Sequence, residues 1–329
     1  MKKLIFILSS ILFTFASQGS SLTVSGISSG AYMAQQFHVA FSSKVSGAGL
    51  IAGGPYFCAQ GGIAAALNRC MDIRMGIPDT EASLGEAQKM FEARQVDNPE
   101  NLADDRVYIL SGTEDRTVVQ KVSDVVVKTY QEWGVASSAL VYVNDLPVGH
   151  AFPTENFGNS CSTPSEPPFI SRCGRDVAGE ILNHLIGPLT SRKEMDKRHL
   201  YSFKQLEYGN GLDLDKLSMH EKGYVYIPAT CRENNCPIHI AFHGCRQTQD
   251  DLGTTFITQT GYNEWAEGNG IIILYPQAKK NFLVNNPKGC WDWWGYGGKN
   301  YHTKKGPQMS VVHRIVEALR KKKLSIVKE

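Results

Sequence analysis

Charge of one sign is in short supply: 34 lysines and arginines stand against 32 aspartates and glutamates, a formal net charge of +2 over 329 residues. So even a balance gives no electrostatic footing for nucleic acid, and no such partner is expected. Long apolar runs are equally scarce. The longest, residues 4–16, falls short of the ~20 residues a spanning helix needs, so no stable membrane insertion is expected. Two lysines precede it and small residues close it, the layout of a secretory signal peptide with cleavage after Ala16. The mature chain is therefore expected to be secreted or periplasmic. The cysteines include no C-x-x-C pair and no histidine pair lies near them at ligand spacing, which argues against a zinc site; no metal or organic cofactor is implied. Internal repeats and low-complexity tracts are absent, which excludes a solenoid, and no Thr-rich linker leads to an accessory binding module.

What is present suits one globular unit. The composition, 42% hydrophobic and 20% charged, is enough for a sizeable core. Eight cysteines in an exported chain point to disulfides, and they fall along the sequence as Cys58 and Cys70, Cys161 and Cys173, Cys231 and Cys236, then Cys245 and Cys290. Neighbour pairing is the simplest expectation, since the first three pairs close short loops; spacing alone does not fix it.

Strands and helices alternate along the chain. Apolar patterning and turn residues predict strands at 22–25, 44–52, 106–111 and 139–143, with helices at 31–41, 80–95, 118–133 and 177–185. After a charged, weakly periodic stretch, 188–222, come strands 223–228, 237–242 and 271–275 and a final helix at 308–322. That stretch has the composition of a domain linker. The later strands, however, lack enough partner helices for an independent domain, so the expectation is a signal peptide, 1–16, followed by a single α/β domain, 17–329, most simply a monomer.

The pentapeptide Gly26-Ile27-Ser28-Ser29-Gly30 lies between a strand and a helix, the setting of a nucleophile elbow, where flanking glycines remove side chains that would clash. A serine hydroxyl is a poor nucleophile at neutral pH; it needs a base and a group that orients the base. His150, in the loop LPVGHAF after strand 139–143, is the expected base, although a loop histidine is commonly a plain surface residue. Asp115, in SGTEDRTV after strand 106–111, is the expected orienter, with Glu114 and Asp145 as rivals and a helix N-cap as its alternative role. The order Ser, Asp, His is that of α/β-hydrolases. Negative charge developing on an ester oxygen calls for two backbone donors, here expected from Ser29 and, in the His243-Gly244-Cys245 turn, Cys245. His243 itself could equally pack that turn.

That turn follows the elbow by more than 200 residues, whereas in ordinary α/β-hydrolases the oxyanion loop precedes it. Moving residue 201 onward in front of residue 22 restores the usual order, so the fold expected is an α/β-hydrolase, circularly permuted and stapled by disulfides, with the old ends joined across 188–200.

GISSGAYMA, SGTEDRTV, PVGHAFPT, IAFHGCRQ and GCWDWWGYG, in this order, resemble the circularly permuted extracellular poly(3-hydroxybutyrate) depolymerases over nearly the whole mature chain. The resemblance implies Ser28, Asp115 and His150 as a catalytic triad, Ser29 and Cys245 as oxyanion donors, and hydrolysis of the polyester or its oligomers. It also tilts Trp291 toward substrate contact, with Asn286 and His243 as weaker polar candidates; from the residues alone, the tryptophans of 291–294 suit a cleft lining or a core equally. A bond between Cys245 and Cys290 would tie the oxyanion loop to those aromatics. The polymer-adsorbing module of many such enzymes is not seen, which leaves crystalline polymer an unexpected substrate. A feruloyl or acetyl esterase on the same fold is the rival enzyme, and a secreted, non-catalytic binding protein using the 291–296 aromatics is the rival of another class.

Overall fold

The computed structural model describes residues 21–329; the expected signal peptide lies outside them. The strands, in chain order, are β1 (Leu22–Ile27), β2 (Val45–Ile51), β3 (Arg106–Leu110), β4 (Leu140–Val143), β5 (Phe152–Thr154), β6 (Asn159–Ser160), β7 (Ile170–Arg172), β8 (Leu200–Lys204), β9 (Lys222–Tyr226), β10 (Ile238–Phe242), β11 (Ile272–Tyr275) and β12 (Ile326–Lys328). The helices are α1 (Ser29–Ala40), α2 (Ile63–Asn68), α3 (Thr80–Glu92), α4 (Gln120–Glu132), α5 (Val177–Ile186), α6 (Gln249–Leu252), α7 (Thr255–Gln259), α8 (Tyr262–Asn269) and α9 (Pro307–Arg320).

Among the described residues nine strands form one sheet, in the order β12-β8-β9-β11-β10-β1-β2-β3-β4. From β11 to β4 neighbours run parallel, and β9, β8 and β12 add antiparallel pairings at one side. Strands from both halves of the sequence thus share one sheet, and the stretch read as linker-like contains β8 itself. Alternation explains how the sheet holds two helix layers: Val107 and Ile109 of β3 face a core with α1, α3, α4 and α9, while Tyr108 and Leu110 face one with α5, α7 and α8. Burying each such side chain contributes about 1.5–3 kcal/mol.

The middle of the sheet also buries polar groups, and these are paired. Thr23 Oγ1 and Ser25 Oγ of β1 lie 2.8 and 2.7 Å from the two ring nitrogens of His239 on β10, and Ser25 Oγ also meets Tyr262 Oη at 2.7 Å. Burial pushes the His239 pKa down to about 3, so the ring is neutral and its two nitrogens serve one as donor and one as acceptor. This network pins β1 to β10 just below the turn into α1, whose residues are all buried. A sheet centre fixed in this way gives the elbow a rigid base.

All eight cysteines are bridged, in the neighbour pairs Cys58–Cys70, Cys161–Cys173, Cys231–Cys236 and Cys245–Cys290. The second joins the residues that directly follow β6 and β7 in the small parallel sheet β5-β7-β6, whose strand β5 starts two residues after His150.

Candidate active site

β1 turns into α1 at Ser28, which stands at φ 55° and ψ −123°, a conformation that a residue with a β-carbon adopts at a cost. Two glycines make the turn possible. A β-carbon on Gly26 would overlap the Gly30 carbonyl, and one on Gly30 would overlap the carbonyl of Phe242 at the end of β10. The turn is held by Ser28 N–H donating to Ile51 O at 2.9 Å and by Ala31 N–H donating to Ser28 O at 2.8 Å. Ser28 is the strained, partly exposed residue at the C-terminal end of a central strand that an elbow requires.

His150 and Asp115 come from two loops zipped edge to edge. Thr113 N–H donates to Leu146 O at 2.9 Å and Glu114 N–H to Val148 O at 3.3 Å, and at Gly112 a β-carbon would overlap Val148 O. Asp115 Oδ1 accepts from the N–H groups of Thr117 and Val118, at 2.8 and 2.9 Å, which orients the carboxylate. Its other oxygen, Oδ2, meets His150 Nδ1 at 2.8 Å. With Nδ1 carrying the proton, His150 Nε2 is left as an acceptor, the state a general base needs. Glu114, the rival carboxylate, makes its backbone bond to the histidine loop, while its side chain is exposed.

Ser28 and His150 line one cleft of about 360 Å³. Its walls are Ile27, Tyr32, Ile63, Leu67, Met71, Val118, Phe169, Trp293 and Trp294, together with Gly244, Cys245, Arg246 and Gln247. Tyr32 stacks on Trp293 with ring centres 4.0 Å apart, and Trp294 meets Trp293 edge-on at 5.5 Å. Burial raises the Tyr32 pKa well above its usual value, and the nearby Asp115 raises it further, so it remains a neutral phenol donating to Cys70 O.

The expected oxyanion donors flank the nucleophile. Ser29 is the first residue of α1, and Cys245 belongs to the turn where a β-carbon on Gly244 would stand 3.5 Å from Ser28 Cβ. Neither N–H has an acceptor among the described residues, although Ser29 is buried. Unpaired buried donors are rare, and at a helix start they favour an anion. Gln247 holds the turn in shape: its Oε1 accepts from Gly244 N–H at 2.7 Å, and its Nε2 donates to Phe169 O at 3.0 Å across the cleft.

The three substrate-binding expectations come out differently. Trp291 is fully buried beneath the cleft, packed on Phe242 and His243, and is not among its lining residues. Trp293 and Trp294 take the lining positions instead. His243 is likewise enclosed: Nε2 accepts from Ala278 N–H at 3.0 Å and Nδ1 faces Gly244 O at 2.7 Å. Burial lowers its pKa to about 4, which makes it a neutral strut for the turn. Asn286 does line the cleft, but its amide bonds Cys290 N–H and Cys290 O, at 2.9 and 2.8 Å, and so closes a loop.

Two residues that sequence reasoning passed over organise this wall. Asp292 accepts from Gly295, Tyr296 and Gly297 N–H groups at 2.7, 3.0 and 2.8 Å. Gln36 of α1 donates to Asp292 O at 3.0 Å. The only sequence signals were a carboxylate among three tryptophans and a polar residue inside a buried helix.

No family model matches the chain. Among curated proteins it is 38% identical to a poly(3-hydroxybutyrate) depolymerase of Delftia acidovorans over 90% of its own length, and it spans 58% of that protein. It is 36% identical to a polyhydroxybutyrate depolymerase of Talaromyces funiculosus, covering 89% of this chain and 87% of the other. Two solved structures share the fold. One is a serine-to-alanine variant of a PHB depolymerase complexed with an R3HB trimer, with TM-score 0.81, 32% identity and coverage of 93% and 96% of the two chains. The other is the PHB depolymerase from Penicillium funiculosum, with TM-score 0.80, 33% identity and coverage of 90% and 94%. A chain so matched in sequence and fold along nine-tenths of its length belongs to the polyhydroxybutyrate depolymerase family.

Proposed function

We propose that this chain is an exported serine esterase that hydrolyses poly(3-hydroxybutyrate) or its short oligomers through an acyl-enzyme on Ser28. The observation that carries the reading is the 2.8 Å pairing of Asp115 Oδ2 with His150 Nδ1 in a cleft shared with the strained Ser28. The depolymerases that the chain resembles, one of them complexed with an R3HB trimer, support the substrate class.

His150 Nε2 takes the proton as Ser28 Oγ attacks the ester carbonyl, and Asp115 stabilises the imidazolium that forms. The N–H groups of Ser29 and Cys245 receive the oxyanion. The proton passes to the departing alkoxide, and water activated by the same histidine then releases the acid. The apolar walls suit the methyl and methylene groups of a polyester and strengthen electrostatics at the carbonyl by excluding water. Four disulfides and the apolar run at 4–16 support export.

The same reading takes the fold as circularly permuted. The strand order supports it: β8 to β11 follow β1 in the chain yet lie together on one side of it in the sheet, and the Cys245 turn leaves β10, the immediate neighbour of β1.

The test is release of 3-hydroxybutyrate from a trimer and from amorphous polymer by the mature protein. Release by wild type and none by Ser28→Ala is the expected result. Turnover of feruloyl or acetyl esters without hydroxybutyrate release would overturn the substrate class.

A further inference from the structure

The charge of the cleft is one-sided. Arg246 and Lys288 line it, and among the described residues no aspartate or glutamate does. Both are exposed, and neither is in an ion pair among the described residues. Their placement is built rather than incidental. Arg246 N–H donates to Lys288 O at 2.7 Å, and the Cys245–Cys290 disulfide ties the same two segments. Arg246 stands at φ 62°, in the left-handed region that favours glycine, and its guanidinium lies 5.1 Å from the centre of the Phe169 ring on the cleft wall. It directly follows Cys245, so its charge begins one residue beyond the expected oxyanion donor.

We infer that Arg246 and Lys288 form a carboxylate subsite that recognises the free acid end of a hydroxyacid oligomer on the leaving-alcohol side of Ser28. The inference rests on the reading of Ser28 as a nucleophile toward such esters. A linear oligomer of a hydroxyacid has one hydroxyl end and one carboxylate end. When Ser28 Oγ bonds the acyl carbon and the acyl–alkoxy bond breaks, the half retained on the enzyme carries the hydroxyl end. The departing half takes the proton from His150 and leaves as a hydroxyacid with its carboxylate intact. Water then cleaves the acyl-enzyme, and the retained half acquires a new carboxylate end. Each round therefore regenerates the group that the cations read. Arginine suits the task because its planar fork can hold both oxygens of a carboxylate, with lysine adding a mobile second charge.

The test compares a 3-hydroxybutyrate trimer as free acid and as its methyl ester, at low and high salt, with wild type, Arg246→Gln, Arg246→Lys and Lys288→Gln. Wild type is expected to show a lower KM for the acid, a preference that salt erodes. Each glutamine variant should lose roughly fivefold of that preference, the scale of one exposed ion pair, and Arg246→Lys should restore part of it. An acid-to-ester ratio of KM that is the same in wild type and both glutamine variants, or insensitive to salt in wild type, overturns the inference. Should Arg246→Gln fail to fold, Lys288→Gln and the salt series still decide. Failure of the underlying reading looks different: wild type then turns over neither oligomer.

Discussion

At the level of single residues the proposed chemistry rests on Ser28, Asp115 and the glycines that shape the elbow. Replacing Ser28 by alanine should lower kcat by about 10⁴-fold or more and leave thermal unfolding close to wild type, as steady-state rates and calorimetry would show. Asp115→Asn is the sharper test. An asparagine keeps an oxygen toward Thr117 and Val118 N–H and so turns its amide NH₂ toward His150 Nδ1, which must then accept. The proton moves to Nε2, the wrong tautomer for a base, and kcat should fall by roughly 10³- to 10⁴-fold with little change in KM. Gly30→Ala has no room beside the Phe242 carbonyl; it should lower both activity and stability, measured by residual rate and melting temperature.

At the scale of elements, the cleft wall 290–297 is a loop held by one carboxylate and one disulfide. In Asp292→Asn, the amide cannot accept from all three N–H groups that the carboxylate serves, and a buried unpaired donor costs about 1–3 kcal/mol. Chemical denaturation should show that loss, and KM for oligomers should rise as Trp293 and Trp294 lose their seat. The loop also shows what the sequence made legible and what it hid. The motif GCWDWWGYG marked the segment, yet the tryptophan singled out, Trp291, is the one turned into the core. Three tryptophans so close in sequence carry no period by which to tell inward from outward, and only tertiary packing on Phe242 decides it. By contrast the meeting of Ser28, Asp115 and His150 in one place could be anticipated, because each lies in a turn-forming sequence after an apolar strand. β8 was missed because its LYSFK pattern is half-polar and sits inside a charged stretch; it is a strand only because β9 and β12 pair with it.

At the scale of the molecule, four histidines are held neutral by burial. The pKa of His239 is pushed down to about 3, and those of His243, His302 and His313 to about 4. Between pH 4 and the ordinary histidine value of 6.5 the unfolded chain binds these protons and the folded one does not, so stability rises with pH across that window. Asp292, raised to about 6 by burial, runs the other way, as do Asp105 and the partly buried Glu264, whose carboxyls burial also raises. Asp97, half-buried and held low by Lys304 and Ser43, sides with the histidines. The melting temperature should therefore fall as pH is lowered from 7 to about 4. A rising or level curve would contradict this balance.

The central claim, that one strained serine in this sheet does the chemistry, is tested most directly by treating the mature protein with a serine-directed organophosphonate and mapping the adduct by mass spectrometry. A single adduct on Ser28 is expected, slowed by a 3-hydroxybutyrate oligomer in competition and absent from Ser28→Ala. An adduct on another serine, or none on a protein that still releases hydroxybutyrate, would contradict it.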